Sequence, residues 1–256
     1  MSPIRDGLIA RTFSLVIAAL SAGVLGWMLN SPVFDIRNIS VHRAESSPPP
    51  AVNPTVVKSF AESFEGRNAF RINTAHLRDQ LLQLPGVADV LVRAGIDGRL
   101  TITVSYEAPV ANWRVGDQSY LVNAEGEVLA ANYLKELPLT IWDNSRTVLS
   151  PGDLVNVDAL FAAHQLKSNL LHLRLEAKKI LHHVGGLSIT DHAGRVIEFG
   201  NTKHLEGKLV ALHAVLEQAK QQGERITSVD LRPIDRPTYR TADSGSKITS
   251  ITGSQP

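Results

Sequence analysis

The 256-residue chain contains no cysteine, which excludes disulfide frameworks, thiolate metal sites and cysteine nucleophiles together. Charge of one sign is missing as well. Its 26 basic and 25 acidic side chains give a formal net charge of +1, so no global field draws the whole molecule to nucleic acid or to an acidic substrate. It carries no G-x-G-x-x-G, P-loop, H-E-x-x-H or G-x-S-x-G motif. Dinucleotide, nucleoside-triphosphate, zinc-peptidase and serine-hydrolase chemistry therefore lack their usual sequence marks. There is no internal repeat and no series of alternating ten-residue strands with aromatic girdles, which argues against a membrane barrel. What is present is an ordinary globular balance, 43% hydrophobic and 20% charged, the composition of one or two compact domains.

The one long apolar run lies at the N-terminus. FSLVIAALSAGVLGWML, from Phe13 to Leu29, has no charge, and with Thr12 and the residues to Val33 it is long enough to cross a hydrocarbon core of about 30 Å. Its expected membrane-facing residues include Phe13, Leu15, Ile17, Leu20, Leu25, Trp27 and Leu29. Arg5 and Arg11 precede it, which predicts a cytoplasmic tail over 1–11, a signal anchor over 12–33 and an exported remainder. Trp27 falls where an indole suits the headgroup level. A cleavable signal peptide is the rival, with small residues in AALSA, but the apolar run continues past that site through VLGWML.

Beyond the run the pattern alternates between strand and helix. FDIRNISVHR reads as a strand whose alternation slips near Asn38, the mark of a bulge. AESSPPPAVNP is a loop. Val56, Val57, Phe60 and Phe64 recur at helical spacing, with Gly66 as the stop. NTAHLRDQLLQL forms a second helix, capped by Asn73 or Thr74, with Leu77, Leu81 and Leu84 on one face. VADVLVRA and RLTITVSYE are strands joined across GIDG, and Leu100, Ile102, Val104 and Tyr106 alternate with polar residues. Strand, helix, helix, strand, strand over 34–107 makes a small unit near the lower size limit for a stable core.

From Ala108 the chain becomes strand-rich. YLVNAEGEVLA is a hairpin, LPLTIW another strand, and NVDALFAAHQLKSNLL a helix with Val157, Leu160, Phe161 and His164 as its stripe. HLRLEAKKI reads as a strand with Leu173, Leu175 and Ala177 on one face. GLSITDHAGRVIEFG is a hairpin turning at 191–194. TKHLEGKLVALHAVLEQAK is a helix with a Leu205, Leu209, Leu212, Leu216, Ala219 stripe, and TSVDLR is the last expected strand. The residues 108–240 thus form a second domain, mainly antiparallel sheet with two helices laid against it, and the fold class is α+β. The small, polar tail 241–256 lacks the apolar surface to offset ordering, so disorder is expected there.

Candidate chemistry is sparse. His182, His183 and His192 with Asp191 match no zinc spacing, and adjacent histidines on a strand point to opposite faces. Glu125 and Glu127 flank a turn glycine and read as solvated. Lys178, Lys179 and the stretch from Lys203 to Lys208 read as water-facing, while Trp113 and Trp142 are expected to pack on the sheet. Neither metal nor cofactor is expected, and the default is a binding protein rather than an enzyme. An anchored envelope hydrolase using unrecognised carboxylates is the enzymatic alternative.

An N-terminal run, then FDIRNISV, then GRNAFRINTAHLRDQLLQLPGVADVLVR, LTITVSYEAPVANW, GLSITDHAGRVIEFGNTKHLEGKLVALHAVL and ITSVDLR, in that order, resembles the FtsQ/DivIB family of bacterial cell-division proteins. The resemblance covers about residues 8–240 and rests on the ordered set more than on any one motif. It implies a single-pass inner-membrane protein at the midcell septum. Its 34–107 unit would be a polypeptide-transport-associated (POTRA) domain, and its C-terminal β domain would bind other division proteins without catalysis. The partners implied are an FtsB-like and FtsL-like pair upstream of septal peptidoglycan synthesis, other division proteins through the span and POTRA domain, and inner-membrane lipid, with no nucleic acid. A POTRA-containing transport or secretion component is the alternative of another class.

The resemblance also implies where the partner docks: the last strands extend their sheet with a partner strand. The matching positions are Ser228, Asp230, Leu231, Arg232, Pro233, Asp235 and Tyr239. Pro233 and Pro237 predict that this segment is a sheet edge. The family commonly has a tyrosine after Asp-Leu-Arg where this chain has Pro233, leaving Tyr239 as the aromatic available for an anchor. The GIDG turn stands where the family often has Trp-Pro.

Overall fold

The computed structural model describes residues 3–49, 54–131, 137–145, 148–242 and 249–250, with side chains described for all of these except 3–13, 54, 249 and 250. The chain divides into two compact units, Met1–Glu107 and Ala108–Pro256.

The first unit opens with α1 (Pro3–Asn30). Its side chains from Leu15 to Trp27 include large apolar residues exposed all round, among them Leu15, Ile17, Leu20, Leu25 and Trp27. Among the described residues no helix is long and apolar enough to cross a membrane. The Phe13 side chain lies outside the described residues, as do those of the tail before it. Ser31 then caps a 3-10 turn, Pro32–Phe34, by accepting from the Val33 N–H. Pro32 suits that first turn because it has no N–H to leave unpaired.

β1 (Asn38–Arg43) follows, then α2 (Pro54–Glu62), a 3-10 turn at Ala69–Arg71, α3 (Thr74–Leu82), β2 (Val87–Ala94) and β3 (Arg99–Tyr106). β1 runs parallel to β3 and β2 antiparallel to it, giving the order β1-β3-β2. The bulge expected near Asn38 is not formed. Phe34 closes the 3-10 turn and Ile36 is buried with its N–H bonded to Arg67 O, so the strand begins only at Asn38. Asn73 caps α3 by accepting from the His76 N–H, and the helix ends at Leu82, leaving Leu84 beyond it. The predicted apolar face of β3, Leu100, Ile102, Val104 and Tyr106, is buried against Val57, Ala61, Leu77 and Leu81. Gly98, at φ +75°, closes the β2–β3 turn so near Asp35 O that a Cβ would lie 2.7 Å from it, and only glycine suits both demands.

The second unit is one ten-stranded sheet. Its elements are β4 (Ala111–Val115), β5 (Gln118–Val122), β6 (Val128–Ala131), β7 (Thr140–Asp143), α4 (Val157–His172), β8 (Ala177–His183), β9 (Gly186–Asp191), β10 (Val196–Gly200), α5 (Leu205–Gln221), β11 (Ile226–Asp230), β12 (Thr238–Thr241) and β13 (Thr249–Ser250). The order across the sheet is β13-β12-β11-β10-β9-β8-β7-β4-β5-β6. Pairing is antiparallel except at β4–β7, β7–β8 and β10–β11. A parallel pair needs a crossover, and α4 and α5 supply two of them, burying their apolar sides in one core with Trp113, Tyr120, Ile141, Ile189 and Val229.

Several sequence expectations change here. β4 is missing from the pattern reading because ANWRV is buried on both faces and shows no alternation. In α4 the expected Val157, Phe161 and His164 face water, and Ala159, Leu160, Ala162, Ala163, Leu166 and Leu170 are buried instead. Small alanines let the helix lie close on the sheet, and large residues at those positions would hold it off. Leu173 caps α4, and β8 begins only at Ala177, with Arg174 at φ +55° making the turn between them. Lys208, expected in water, is 3% exposed. Beyond the predicted last strand come β12 and, within the tail expected to be disordered, the two residues of β13; the rest of that tail after Ala242 lies outside the described residues.

Candidate partner-binding edge

The sheet of the second unit ends in β11, β12 and β13, and this end holds every C-terminal residue expected to bind a partner. β11 is not the edge. It pairs in parallel with β10, Val196↔Ser228 through Glu198↔Asp230, and antiparallel with β12, Ser228↔Arg240 through Asp230↔Thr238. The expectation that Pro233 and Pro237 mark SVDLR as an edge strand is therefore corrected. The two prolines bound the loop between β11 and β12, where no ladder bond is lost by a missing N–H. Pro233 is exposed and its carbonyl accepts from the Arg236 N–H at 3.1 Å, closing a turn, while Pro237 is buried.

The loop is firmly held at its start. Asp230 clamps Arg232 with both carboxylate oxygens, at 2.9 Å and 3.1 Å from Nε and 2.6 Å from Nη2, and accepts from the Arg232 N–H at 3.0 Å. The bonds from the Arg232 side chain hold the Asp230 carboxyl below its ordinary value of 3.8, and the same bonds raise Arg232. Leu231 is fully buried and its N–H bonds Glu198 O at 2.8 Å. Arg232 lies over Gly200, at φ +67°, where a Cβ would come within 2.7 Å of Arg232 Cγ. Ile234 sits on Gly207 of α5 in the same manner, its Cδ1 2.8 Å from where a Cβ would be.

At the far side of the loop Tyr239 is 1% exposed. Its hydroxyl lies 2.9 Å from Glu224 Oε2 and 3.2 Å from Gln222 Oε1. Burial, then the bond to Glu224, pushes its phenol above the usual value. Tyr239 as an exposed aromatic anchor is thus corrected: its ring belongs to the core. Leu231 is closed to a partner for the same reason. Ser228 and Asp230 are half-buried on β11, and Arg232, Pro233 and Asp235 are exposed. On the outer side of β12, β13 pairs Thr238↔Ser250 and Tyr239↔Thr249.

Lys208 supports this end from below. Its ammonium donates to Phe199 O and Asn201 O at 2.7 Å each and to Asn201 Oδ1 at 3.0 Å, which fixes the bend after β10 on which Gly200 and Arg232 rest. Burial lowers its pKa from the ordinary lysine value. A signal for it existed: Lys208 falls in the helical phase of Leu205, Leu212, Val215 and Ala219.

The histidines do not gather. His182 Nδ1 lies 3.1 Å from Asp143 Oδ1, His183 Nε2 3.3 Å from Glu198 Oε2, and His192 Nε2 3.8 Å from Glu176 Oε2, while Asp191 holds Arg195 at 2.6 Å. Among the described residues no group of three or more candidate ligands could hold a metal ion. Asp143 is 2% exposed and accepts from Trp113 Nε1 at 2.9 Å and the Ser145 N–H at 2.8 Å. Burial raises its pKa, but the bonds from Ser145, Trp113 and His182 outweigh that and hold it below 3.8. Ser145, His182 and Asp143 are the residue types of a hydrolase triad. Here, however, serine and aspartate meet the same ring nitrogen, Nδ1, so the arrangement cannot relay a proton from the serine through the far ring nitrogen. It ties β4, β7 and β8 together. Trp142 projects from β7 with Arg114 Cζ 4.1 Å and Lys179 Nζ 4.5 Å from its ring centre, so Lys179 is not simply solvated.

Residues 111–232 match the family model described as cell division protein FtsQ/DivIB, C-terminal. That stretch begins with β4 and ends at Arg232, so β12 lies past it. The chain is 28% identical over 248 residues to the cell division protein FtsQ of Chloroflexus aurantiacus, covering 95% of this chain and 87% of that one. It is 28% identical over 246 residues to the protein of that name from Chloroflexus aggregans, covering 94% and 86%. Against that from Corynebacterium glutamicum it is 22% identical over 213 residues, covering 82% and 89%.

Proposed function

We propose that the chain is a member of the FtsQ/DivIB family of cell division proteins, a reading supported by the match over residues 111–232 and by the relatives it resembles, and that it is a non-catalytic scaffold of the division machinery, anchored in the inner membrane by α1. In this reading residues 12–33 span the bilayer, the first unit is a POTRA domain, and the second unit recruits an FtsB-like and FtsL-like pair at the midcell septum. The stretch of α1 from Phe13 to Leu29 supports the anchor because it carries no charge and leaves large apolar side chains exposed from Leu15 to Leu29, with no charged face to give to water.

One observation carries the docking proposal. Among the described residues β12 is the last strand of more than two residues at its end of the sheet, and the two residues of β13 pair with Thr238 and Tyr239. A partner segment extending the sheet would gain main-chain hydrogen bonds from β12 and selectivity from what stands beside it. With Leu231 and Tyr239 buried, that selectivity falls to Asp230, Arg232, Pro233 and Asp235. The Asp230–Arg232 clamp presents them in one fixed arrangement, which lowers the ordering cost of binding.

The test is a pull-down of the organism's FtsB-like coiled-coil protein by the full chain and by a variant with 230–239 scrambled. Loss of capture is expected while the amides of β8 and β9 stay protected from exchange. Undiminished capture by a variant that keeps its fold would sink the edge proposal.

A further inference from the structure

We propose that the first unit carries a binding site for the headgroup of an anionic phospholipid, built where α1 joins the β-α-α-β-β body. The inference rests on the reading of α1 as a membrane anchor and adds a ligand to it.

The join is stiff. Asn68, 9% exposed, donates through Nδ2 to Met28 O at 3.0 Å, a helix-end carbonyl that Pro32 has no N–H to serve, and to Ser31 O at 3.1 Å, which also accepts from the Phe34 N–H. Arg71 Nη2 donates to Asn30 Oδ1 at 2.7 Å, and Asn30 Nδ2 to Gly26 O at 2.8 Å. Trp27 meets Phe34 edge-on, with ring centres 5.7 Å apart, and Phe34 meets Phe70 at 5.1 Å. Trp27 and Phe70 stay 59% and 41% exposed. Two exposed aromatic rings held at the end of the apolar run by a third, the half-buried Phe34, have the make-up of an interfacial anchor.

Beside them is a cavity of about 530 Å³ lined by Leu29, Asn30, Phe64, Arg67, Arg71 and His76. Arg67 stacks on Phe64, its Cζ 4.7 Å from the ring centre, which orients the guanidinium. Among the described residues neither Arg67 nor Arg71 forms an ion pair, although the Asp35 carboxylate also borders the cavity. Two guanidinium groups against one carboxylate leave an excess of positive charge, and a guanidinium matches phosphate oxygens in a two-bond fork. The wall formed by α1 makes the site continuous with the bilayer, so the anion it faces is a lipid phosphate. Net charge then selects anionic over zwitterionic headgroups, since the latter bring their own cation.

The experiment uses the full chain in bilayers of phosphatidylcholine and phosphatidylglycerol, with spin-labelled lipid reporting the fraction held immobile by the protein. Preference for phosphatidylglycerol on the order of tenfold is expected from two cations near the surface. It should vanish in R67A/R71A, persist in part in R67K/R71K, and withstand added inorganic phosphate. No preference in the parent chain, or an unchanged preference in R67A/R71A, overturns the site. Displacement by inorganic phosphate overturns its assignment to lipid. Alkaline extraction reads the anchor separately: release of the chain removes the anchor and with it the lipid site, whereas retention leaves the lipid readings to decide.

Discussion

The two units bury one face of a sheet by different means. In the first, two short helices cover three strands, the core is apolar, and its buried polar residues, Ser31 and Asn68, both stand at the end of α1. In the second, the buried polar residues Asn112, Asn123, Asp143, Ser188, Asp191 and Lys208 are spread along ten strands. The reason is geometric. A compact sheet is closed by its own hairpin and helices, whereas a long sheet under a single helical layer has strand ends and bends that side chains must satisfy. In the first unit the polar fixings stand at the proposed anchor joint, and in the second Lys208 is the one that stands under the proposed docking edge.

Substitutions that remove a fixing should separate the units. Trp113→Ala empties a fully buried site and takes a donor from Asp143, and should cost about 3–5 kcal/mol. Hydrogen exchange would show β4, β7 and β8 losing protection with β1–β3 unchanged, and equal loss in both would show the units to be coupled. Lys208→Met orphans three acceptors around the bend after β10 and should cost about 1–3 kcal/mol, read as a lower denaturation midpoint. Capture of the FtsB-like partner should weaken alongside, because Gly200 and Arg232 rest on that bend.

The smallest effect is in acid. Asp143 and Asp230 have folded values below the ordinary 3.8, so the stability they supply is complete above that value and lost as pH falls through the depressed ones. In the first unit the lowered carboxylate, Asp89, is exposed beside Arg78 and adds little. On titration below pH 3.8 the second unit should therefore lose stability more steeply, and Asp143→Asn should flatten its slope. On the alkaline side the units should behave alike. Tyr106 and Tyr239 are both raised, in each case first by burial, and their contributions, complete below 10, are lost as pH rises through the raised values.

Much of the first unit was legible in the sequence. Leu100 to Tyr106 alternates strictly and Asn73 caps a helix, because each of those patterns answers to neighbours a few residues away. The second unit was less so. ANWRV is a central strand without alternation, Phe161 turns outward although it is the bulkiest residue of its helix, and the charge of Lys208 points to water while its helical phase points to the core. At the candidate edge, prolines 233 and 237 are incompatible with a ladder, as their missing N–H requires, but the strand they follow is not the last.

The sequence by itself determined most elements of the first unit, the charge-free run at the N-terminus and the likeness of the ordered segments to one family, since composition, periodicity and turn residues act locally. Tertiary structure alone decided which strand lies at the edge, that Tyr239 and Leu231 are core, and that Asn68, Arg67 and Arg71 converge on the end of α1. Those outcomes depend on pairings and contacts between residues far apart in the chain, which no local pattern encodes.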